Sequence, residues 1–314
     1  MDFGRPDDPS AVDWRLDGDS SLTQLSLKRF AHERGADAGA HLYIGSTAWG
    51  PKEFVGPVYP TGTKAGDFLR AYAAQFNTIE LNTTYYRTPD HRQVMKWYAA
   101  TPDDFRFCPK VNKAISQASD LGVHTSRTLD FAKAVQVFEH KLGPCFVQLP
   151  PTFGTDRADA LRAWLDRWPP QLRLAVELRH ESWFSEGAGL DLFAELYERG
   201  VGAVITDVGG RRDVAHMHIT APFVLLRWVG TLHDSDGARL EAWASRLAAW
   251  MRAGVREAYV FTHEPEPVPS ARAAASLVRH VRAHGLAGVR TRGPVLREGA
   301  GAAPPPSQRE LFGS

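Results

Sequence analysis

The chain has 314 residues, of which 43% are hydrophobic and 23% charged, and this is the composition of an ordinary globular protein rather than of a disordered chain. Thirty-seven basic and 36 acidic residues leave a formal net charge of +1, so no whole-molecule field favours nucleic acid or an anionic membrane. No stretch approaches the roughly 20 consecutive apolar residues of a membrane-spanning helix, and we expect no membrane partner.

Residues 1–40 and 297–314 flank a segment in which elements alternate regularly. The first flank contains one amphipathic window, Leu22–Glu33, which predicts a helix. It begins without the basic start and apolar run of a secretory signal, so a cytoplasmic protein is expected. The second flank is rich in Gly, Ala and Pro and predicts a flexible tail. We therefore expect one domain at residues 41–296 with an extension at each end.

Residues 41–296 alternate between short β-rich runs and helical windows, which is the pattern of repeated βα units in a parallel sheet. Eight such runs predict an α/β protein with one (βα)8 TIM barrel, a fold of about 250 residues. Residues 209–221 are short and polar, so the sixth helix is predicted to be abbreviated or replaced by a loop. The predicted strands are Leu42–Ser46, Thr78–Asn82, Phe105–Val111, Cys145–Leu149, Leu174–Leu178, Ala203–Thr206, Val224–Trp228 and Ala258–Thr262.

Alternation within these strands predicts which side chains point into the barrel, because successive residues of a strand face opposite sides. Ile79 and Leu81 would face the helices and leave Glu80 inside. The same parity places other polar residues inside, most of them at the carboxyl ends of strands, where enzymes of this fold have their active sites. They are Thr78, Asn82, Arg106, Cys108, Lys110, Asn112, Gln148, Glu177, Arg179, Asp207, Arg227 and His263.

So many inward charges have two interpretations. In one, carboxylates and cations balance each other as a structural belt of ion pairs. In the other they bind a ligand, and this is favoured because burying each charge costs several kcal/mol that aliphatic packing would avoid. The loops around the ring add aromatic residues suited to a sugar or base ring, namely Trp49, Tyr85, Tyr86, Trp183 and Phe184.

Five segments carry a specific pattern, with E-x-N-x-T/S-x-Y, Q-L-P-P and E-x-R-H-x-S-W in order at strand ends. They are IGSTAWG (44–50), FNTIELNTTYYRTP (76–89), FRFCPKVNKAIS (105–116), LGPCFVQLPPTF (142–153) and VELRHESWF (176–184). Over residues 42–284 the chain resembles the YecE-like family, domain of unknown function 72. The resemblance implies a (βα)8 barrel of unassigned biochemistry, loosely related to sugar isomerases. It implies characteristic polar positions at Glu80, Asn82, Tyr85, Lys110, Gln148, Glu177, Arg179, His180, Trp183 and Arg227.

The chain departs from that pattern after two strands. Where the family has Arg-x-His-Gly after the seventh strand, this chain has Arg227-Trp228-Val229-Gly230. Where the family has Asn-Asn after the eighth strand, this chain has His263-Glu264. The departures leave open a different substrate or a metal preference.

The first functional hypothesis is a hydrolase, isomerase or lyase that acts on a small anionic or sugar-like substrate. Lys110, Arg179 and Arg227 would bind a carboxylate or phosphate. Glu80 or Glu177 would act as general acid or base. A lysine beside two arginines would also have a lowered pKa and could act as a base or a Schiff-base nucleophile. Further substrate contacts are predicted at Trp49, Asn82, Tyr85, Asn112, Gln148, His180 and Trp183.

Two other hypotheses concern the same site. Carboxylates and an imidazole are ligands for magnesium, manganese or zinc, so a divalent metal could be held there. Its ligands would be Glu80, Glu177 and Asp207, with His263 or Glu264 as a further ligand. The barrel could also bind a small molecule without catalysis.

A fourth hypothesis comes from the tail, which ends Gln308-Arg309-Glu310-Leu311-Phe312. This is similar to the Q-x-x-L-F peptide by which bacterial replication and repair proteins dock on the sliding clamp. A hydrophobic pair on a Pro-rich arm has the form of a docking peptide, although so short a motif also matches by chance. With Gln308, Leu311 and Phe312 on the clamp, the chain would be a metal-dependent nucleic-acid maintenance protein, and direct nucleic-acid contact stays open.

The absence of several known motifs argues against some classes of enzyme. The chain contains no Gly-x-Gly-x-x-Gly, Walker loop, His-Glu-x-x-His or Gly-x-Ser-x-Gly, so nucleotide cofactors and serine hydrolase chemistry lack support. Cys108 and Cys145 form no Cys-x-x-Cys pair and are expected to be reduced core thiols. Gly209-Gly210 before Arg211-Arg212 predicts a turn, with a phosphate cradle as the alternative.

Overall fold

The computed structural model describes residues 3–34, 39–185, 187–285 and 290–297 of the chain. In this part the strands are β1 (His41–Gly45), β2 (Thr78–Leu81), β3 (Arg106–Pro109), β4 (Cys145–Gln148), β5 (Leu174–Glu177), β6 (Gly202–Asp207), β7 (Phe223–Val229) and β8 (Glu257–His263). The α-helices are α1 (Ser21–Arg34), α2 (Phe68–Gln75), α3 (Thr83–Tyr86), α4 (His91–Ala99), α5 (Lys113–Ser116), α6 (Arg127–Gln136), α7 (Ala158–Arg167), α8 (Ala188–Glu198), α9 (Ser235–Arg252) and α10 (Pro267–Ala283). None of these helices has both the length and the apolar character needed to cross a membrane.

The strands form a TIM-type α/β fold, as predicted. Six of them make one parallel sheet in the order β1-β8-β7-β6-β5-β4, and β2 pairs in parallel with β3. Individual hydrogen bonds join this pair to its neighbours on both sides. The Glu80 amide donates to the Ser46 carbonyl at 3.1 Å, and the Val111 amide donates to the Phe146 carbonyl at 2.8 Å. The carboxyl ends of the strands therefore meet at one end of the fold.

Alternation along the strands separates two apolar regions, and the predicted parity is confirmed for most strands. The outward side chains pack against the helices in the main hydrophobic core. They include Ile79, Leu81, Phe107, Val147, Val176 and Leu178. A smaller cluster fills the interior between the strands, and it contains Tyr43, Cys108, Phe146, Ala175, Val204, Leu225, Tyr259 and Phe261. Cys108 and Cys145 are buried free thiols. The interior cluster is the floor on which the polar residues at the carboxyl ends lie.

Residues 208–222, which link β6 to β7 and are all described, contain no α-helix, and this confirms the predicted abbreviation of the sixth helix. A single 3₁₀ turn, Arg212–Ala215, is present there. Helix α1, which forms at the predicted position in the N-terminal flank, covers part of the surface beside this turn and forms hydrogen bonds to the segment between β6 and β7. The Met217 carbonyl accepts a hydrogen bond from the Thr23 hydroxyl at 2.5 Å, and the Ile219 amide donates to the same hydroxyl at 2.8 Å.

Candidate functional site

A layer of buried charges lies at the carboxyl ends of β2, β5 and β7, with Arg227 at its centre. Arg227 Nε donates to Glu80 Oε2 at 2.9 Å, and its Nη1 donates to Glu177 Oε2 at 2.8 Å. The side chains of Arg227, Glu80 and Glu177 are 1%, 0% and 1% exposed. Because water hardly reaches these groups, the shared guanidinium of Arg227 offsets much of the cost of burying both carboxylates.

From Glu177 the hydrogen bonds continue to β3. Arg179 Nε donates to Glu177 Oε1 at 2.9 Å, and Gln148 Nε2 donates to Glu177 Oε2 at 2.7 Å. The other amide atom of Gln148, Oε1, accepts from Lys110 Nζ at 2.8 Å. Gln148 therefore links a carboxylate to an ammonium group, and its amide orientation is fixed by the two partners.

On the other side, Glu80 holds His263 and Asn82. His263 Nε2 lies 2.9 Å from Glu80 Oε2, and Asn82 Nδ2 donates to Glu80 Oε1 at 3.0 Å. A carboxylate only accepts hydrogen bonds, so Nε2 carries the proton and Nδ1 of the neutral imidazole is an acceptor. Burial lowers the pKa of His263, which makes the neutral ring the main form at neutral pH.

The surroundings of these groups separate their pKa values. Burial alone would raise the pKa of Glu177, but the charges of Arg179 and Arg227 outweigh burial and lower it to about 2. Glu80 is also buried, and Arg227 and His263 hold its pKa well below the usual range. Burial and the charge of Arg227 lower the pKa of Lys110 to about 8. Both carboxylates are thus ionised at neutral pH, whereas the ammonium group is close to its titration range.

Lys110 is covered by an aromatic ring. Its Nζ lies 4.4 Å from the ring centre of Tyr85 in α3, and the residue is 8% exposed. The electron-rich ring face stabilises a cation there. Tyr86, next in the chain, is largely exposed and meets the Tyr85 ring edge-on. Of the aromatic residues expected around the ring of charges, Tyr85 is thus the one that contacts Lys110 in this way.

A cavity of about 390 Å³ opens beside this layer, at the carboxyl ends of β1, β6, β7 and β8. His263 connects the two, because it bonds to Glu80 and also lines the cavity. Polar and charged side chains in its wall are Arg5, Ser46, Thr47, Thr231, His263, Glu264 and Ser270. The contribution of Arg5 was not predicted, since strand parity carries no signal for residues before the first strand.

Glu264 is an unusual carboxylate in the wall of this cavity. Its Oε2 atom is buried and has no hydrogen-bond partner among the described residues. A Cβ at Gly230 would lie 2.1 Å from Glu264 Oε1, so the carboxylate needs a glycine at that position. Burial and the nearby charge of Asp236 raise the pKa of Glu264 to about 7. This carboxyl group can both give and take a proton near neutral pH.

Asp207 does not join the layer, and the prediction that it faces inward is wrong. In β6, Val204 belongs to the interior cluster, so Asp207 lies on the opposite face, towards α9. Its Oδ2 accepts hydrogen bonds from Arg239 Nη2 and from Trp243 Nε1, both at 2.9 Å. Arg212 pairs with the other oxygen.

The predicted metal ligands do not form a donor set that fits a divalent ion. Arg227 occupies oxygens of both Glu80 and Glu177, and Asp207 faces away from His263. In the described ranges no group of three His, Cys, Asp or Glu side chains is placed to hold a metal ion. A cation in this layer would have to displace guanidinium groups from the carboxylates that it needs.

Four residues predicted to contact substrate, Trp49, Asn112, His180 and Trp183, have structural partners nearby. Asn112 Oδ1 accepts from the Ala114 amide at the start of α5, and His180 Nδ1 accepts from the Ser182 amide in the next turn. Trp183 is fully buried and donates to the Phe153 carbonyl. Trp49 lies edge-on to Trp97 in a separate groove of about 330 Å³. Gln308, Leu311 and Phe312 lie outside the described residues.

Comparison with known proteins leads to one family through its family model and through a solved structure. Residues 43–294 match the family model "Protein of unknown function DUF72". The chain is 30% identical to UPF0759 protein YecE of Escherichia coli K12 over 72% of its own length and 87% of the relative, and 28% identical to UPF0759 protein YunF of Bacillus subtilis over 46% and 52%. A crystal structure of a DUF72 family protein from Enterococcus faecalis superposes with a TM-score of 0.62 at 21% identity, covering 78% of this chain and 99% of that one. The chain belongs to the DUF72 family.

Proposed function

We propose that the chain is a hydrolase, isomerase or lyase that uses the polar layer and its cavity on a small anionic or sugar-like substrate. The observation that supports this most is Lys110, a buried ammonium group that has Gln148 as its hydrogen-bond acceptor in the described ranges. Arg227 and Arg179 pair with carboxylates, whereas Lys110 forms no ion pair with a described residue. A buried cation with no carboxylate in direct contact is unfavourable, and an anionic ligand would reduce that cost.

The lowered pKa of Lys110 suits two chemical roles. With a pKa of about 8 it is mostly protonated at neutral pH and binds a carboxylate or phosphate oxygen. It also loses its proton more readily than an exposed lysine, so it can act as a base or as an amine nucleophile towards a carbonyl. Tyr85 covers the group and keeps water from competing for its protons.

In this proposal Glu80 and Glu177 have positioning roles. Their pKa values lie far from neutrality, so they hold Arg227, Gln148 and His263 in place and do not exchange protons during turnover. Proton transfer is assigned to Lys110, to His263 at the end of β8 and to Glu264, which follows it. This differs from the hypothesis drawn from the residues alone, in which Glu80 or Glu177 was the acid or base.

A ligand screen by thermal unfolding tests the proposal with three probe classes: small carboxylates, phosphate monoesters and free sugars. A ligand that binds only the folded protein raises its melting temperature, and the shift grows with the logarithm of the ligand concentration above Kd. We expect one anionic class to stabilise the wild type and Lys110→Met to lose the effect. The matched control is Lys113→Met, an exposed lysine at the same end of the fold. An equal shift in Lys110→Met would rule out Lys110 as the anion-binding group.

A second measurement separates catalysis from binding. Members of the stabilising class are incubated with the protein, and the mixture is followed by NMR for new signals. Turnover that is lost in Lys110→Met supports the enzyme, and a ligand that stays chemically unchanged supports the alternative of a non-catalytic ligand-binding barrel. We also propose that the protein is located in the cytoplasm.

A further inference from the structure

The N-terminal arm, residues 3–20, crosses the carboxyl ends of the strands and lies outside the segment that matches the family. Its tip, residues 3–6, contacts both parts of the site. The Phe3 ring centre lies 4.3 Å from the guanidinium carbon of Arg179 in the polar layer. Residues 4–6 line the cavity opposite His263. The tip therefore covers the region through which a ligand would reach the buried charges.

The loop after β6 matches the shape of the arm. The Gly210 amide donates to the Gly4 carbonyl at 2.7 Å. A Cβ at Gly209 would lie 2.6 Å from Cγ of Pro6 and 2.7 Å from the Trp14 ring, so any side chain there would push the arm away. The glycine pair that predicts a turn or a phosphate cradle thus accommodates a segment of the same chain.

The two ends of the arm differ in how firmly they are held. Trp14 stacks on Arg239, with 3.7 Å between the guanidinium carbon and the ring centre. Asp19 Oδ1 accepts hydrogen bonds from Trp250 Nε1 at 2.9 Å and from Arg246 Nη1 at 3.2 Å. The ring of Phe3 is only half-buried and does not belong to the hydrophobic core of the described residues. The tip can therefore leave the loop while the rest of the arm stays attached.

We propose that the tip of the N-terminal arm is a gate, with Phe3 as the residue that closes the entrance to Arg179. In the closed form, only ligands that fit the cavity are admitted. Opening the tip enlarges the entrance and exposes the cations of the layer. The identity of the ligand that the gate admits rests on the proposed function, whereas the contact between Phe3 and Arg179 is independent of it.

Chemical modification of arginine by phenylglyoxal, mapped by peptide mass spectrometry, tests the gate without a known substrate. We expect Arg179 to react slowly in the wild type and about tenfold faster in Phe3→Ala and Gly209→Ala, because both changes favour the open tip. Arg15, 89% exposed, is the internal standard for reagent activity. The matched control is Gly237→Ala, since a Cβ there has nothing within 4 Å.

Equal rates at Arg179 in all four proteins would overturn the gate. A faster reaction of Arg179 in Gly209→Ala alone would also overturn it, because distortion of the loop after β6 would then explain the change. Phe3→Ala is free of that ambiguity, since it removes only a half-buried ring at the end of the arm. Inorganic phosphate, added as a probe, separates the gate from the proposed function. Phosphate protection of Arg179 supports an anionic substrate, whereas faster modification in both variants with no protection supports the gate and counts against that substrate class.

Discussion

His263 Nε2 lies 2.9 Å from Glu80 Oε2, and this contact fixes which ring nitrogen of His263 is protonated. Since burial lowers the pKa of His263, we expect a neutral ring at pH 7 with the proton on Nε2 and an unprotonated Nδ1. Long-range proton–nitrogen NMR spectra distinguish these forms, and His263→Asn identifies the signals. A doubly protonated ring at pH 7 would contradict the proposed role of His263 as an acceptor in the cavity.

Arg227 is expected to be essential for stability. Arg227→Met removes the guanidinium that the buried carboxylates of Glu80 and Glu177 share, so that Glu177 keeps Arg179 and Glu80 keeps no arginine among the described residues, which should cost about 3–5 kcal/mol. The matched control is Arg162→Met, because Arg162 also pairs with two carboxylates, Glu195 and Asp159, but is 33% exposed. That change should cost only about 0–1 kcal/mol. Chemical denaturation of both variants measures the difference, and similar losses would mean that Arg227 is not the centre of the layer.

Strand parity predicted the polar layer well because inward and outward positions differ sharply in hydrophobicity in β2 and β5. It failed at Asp207, since β6 is buried on both faces and its residues Gly202–Asp207 carry no such contrast. The arm could not be predicted, because Phe3 reaches Arg179 through tertiary contacts that leave no periodic signal. The register, also hidden in the sequence, pairs Val229 of β7 with His263 of β8, so the two departures from the family pattern are neighbours.

The C-terminal peptide is predicted to bind a bacterial sliding clamp. The full chain should bind an immobilised clamp, and Leu311→Ala with Phe312→Ala should weaken binding at least about tenfold, because anchor side chains of a docking peptide carry most of its binding energy. Arg309→Ala is the control within the same motif, since it lies at a variable position. Equal binding of the double variant and the control would dismiss the motif as a chance match.

Glu264 is expected to make stability depend on pH in a way that reports its burial. Its pKa is raised from 4.5 to about 7, so the folded protein favours the protonated carboxyl. This contribution is fully present below pH 4.5 and is lost as the pH rises to about 7, with a loss of about 3 kcal/mol at most. Glu264→Gln keeps a neutral side chain at every pH and avoids the loss.

The melting temperature of Glu264→Gln relative to wild type should therefore increase between pH 5 and pH 8. Glu266→Gln removes a carboxylate two residues away at an exposed position, so it controls for the change in overall charge. A difference between Glu264→Gln and wild type that stays constant over this range would show that Glu264 is ionised in the folded protein throughout. It would then be unable to act as the proton donor assigned to it, because no proton would be bound at neutral pH.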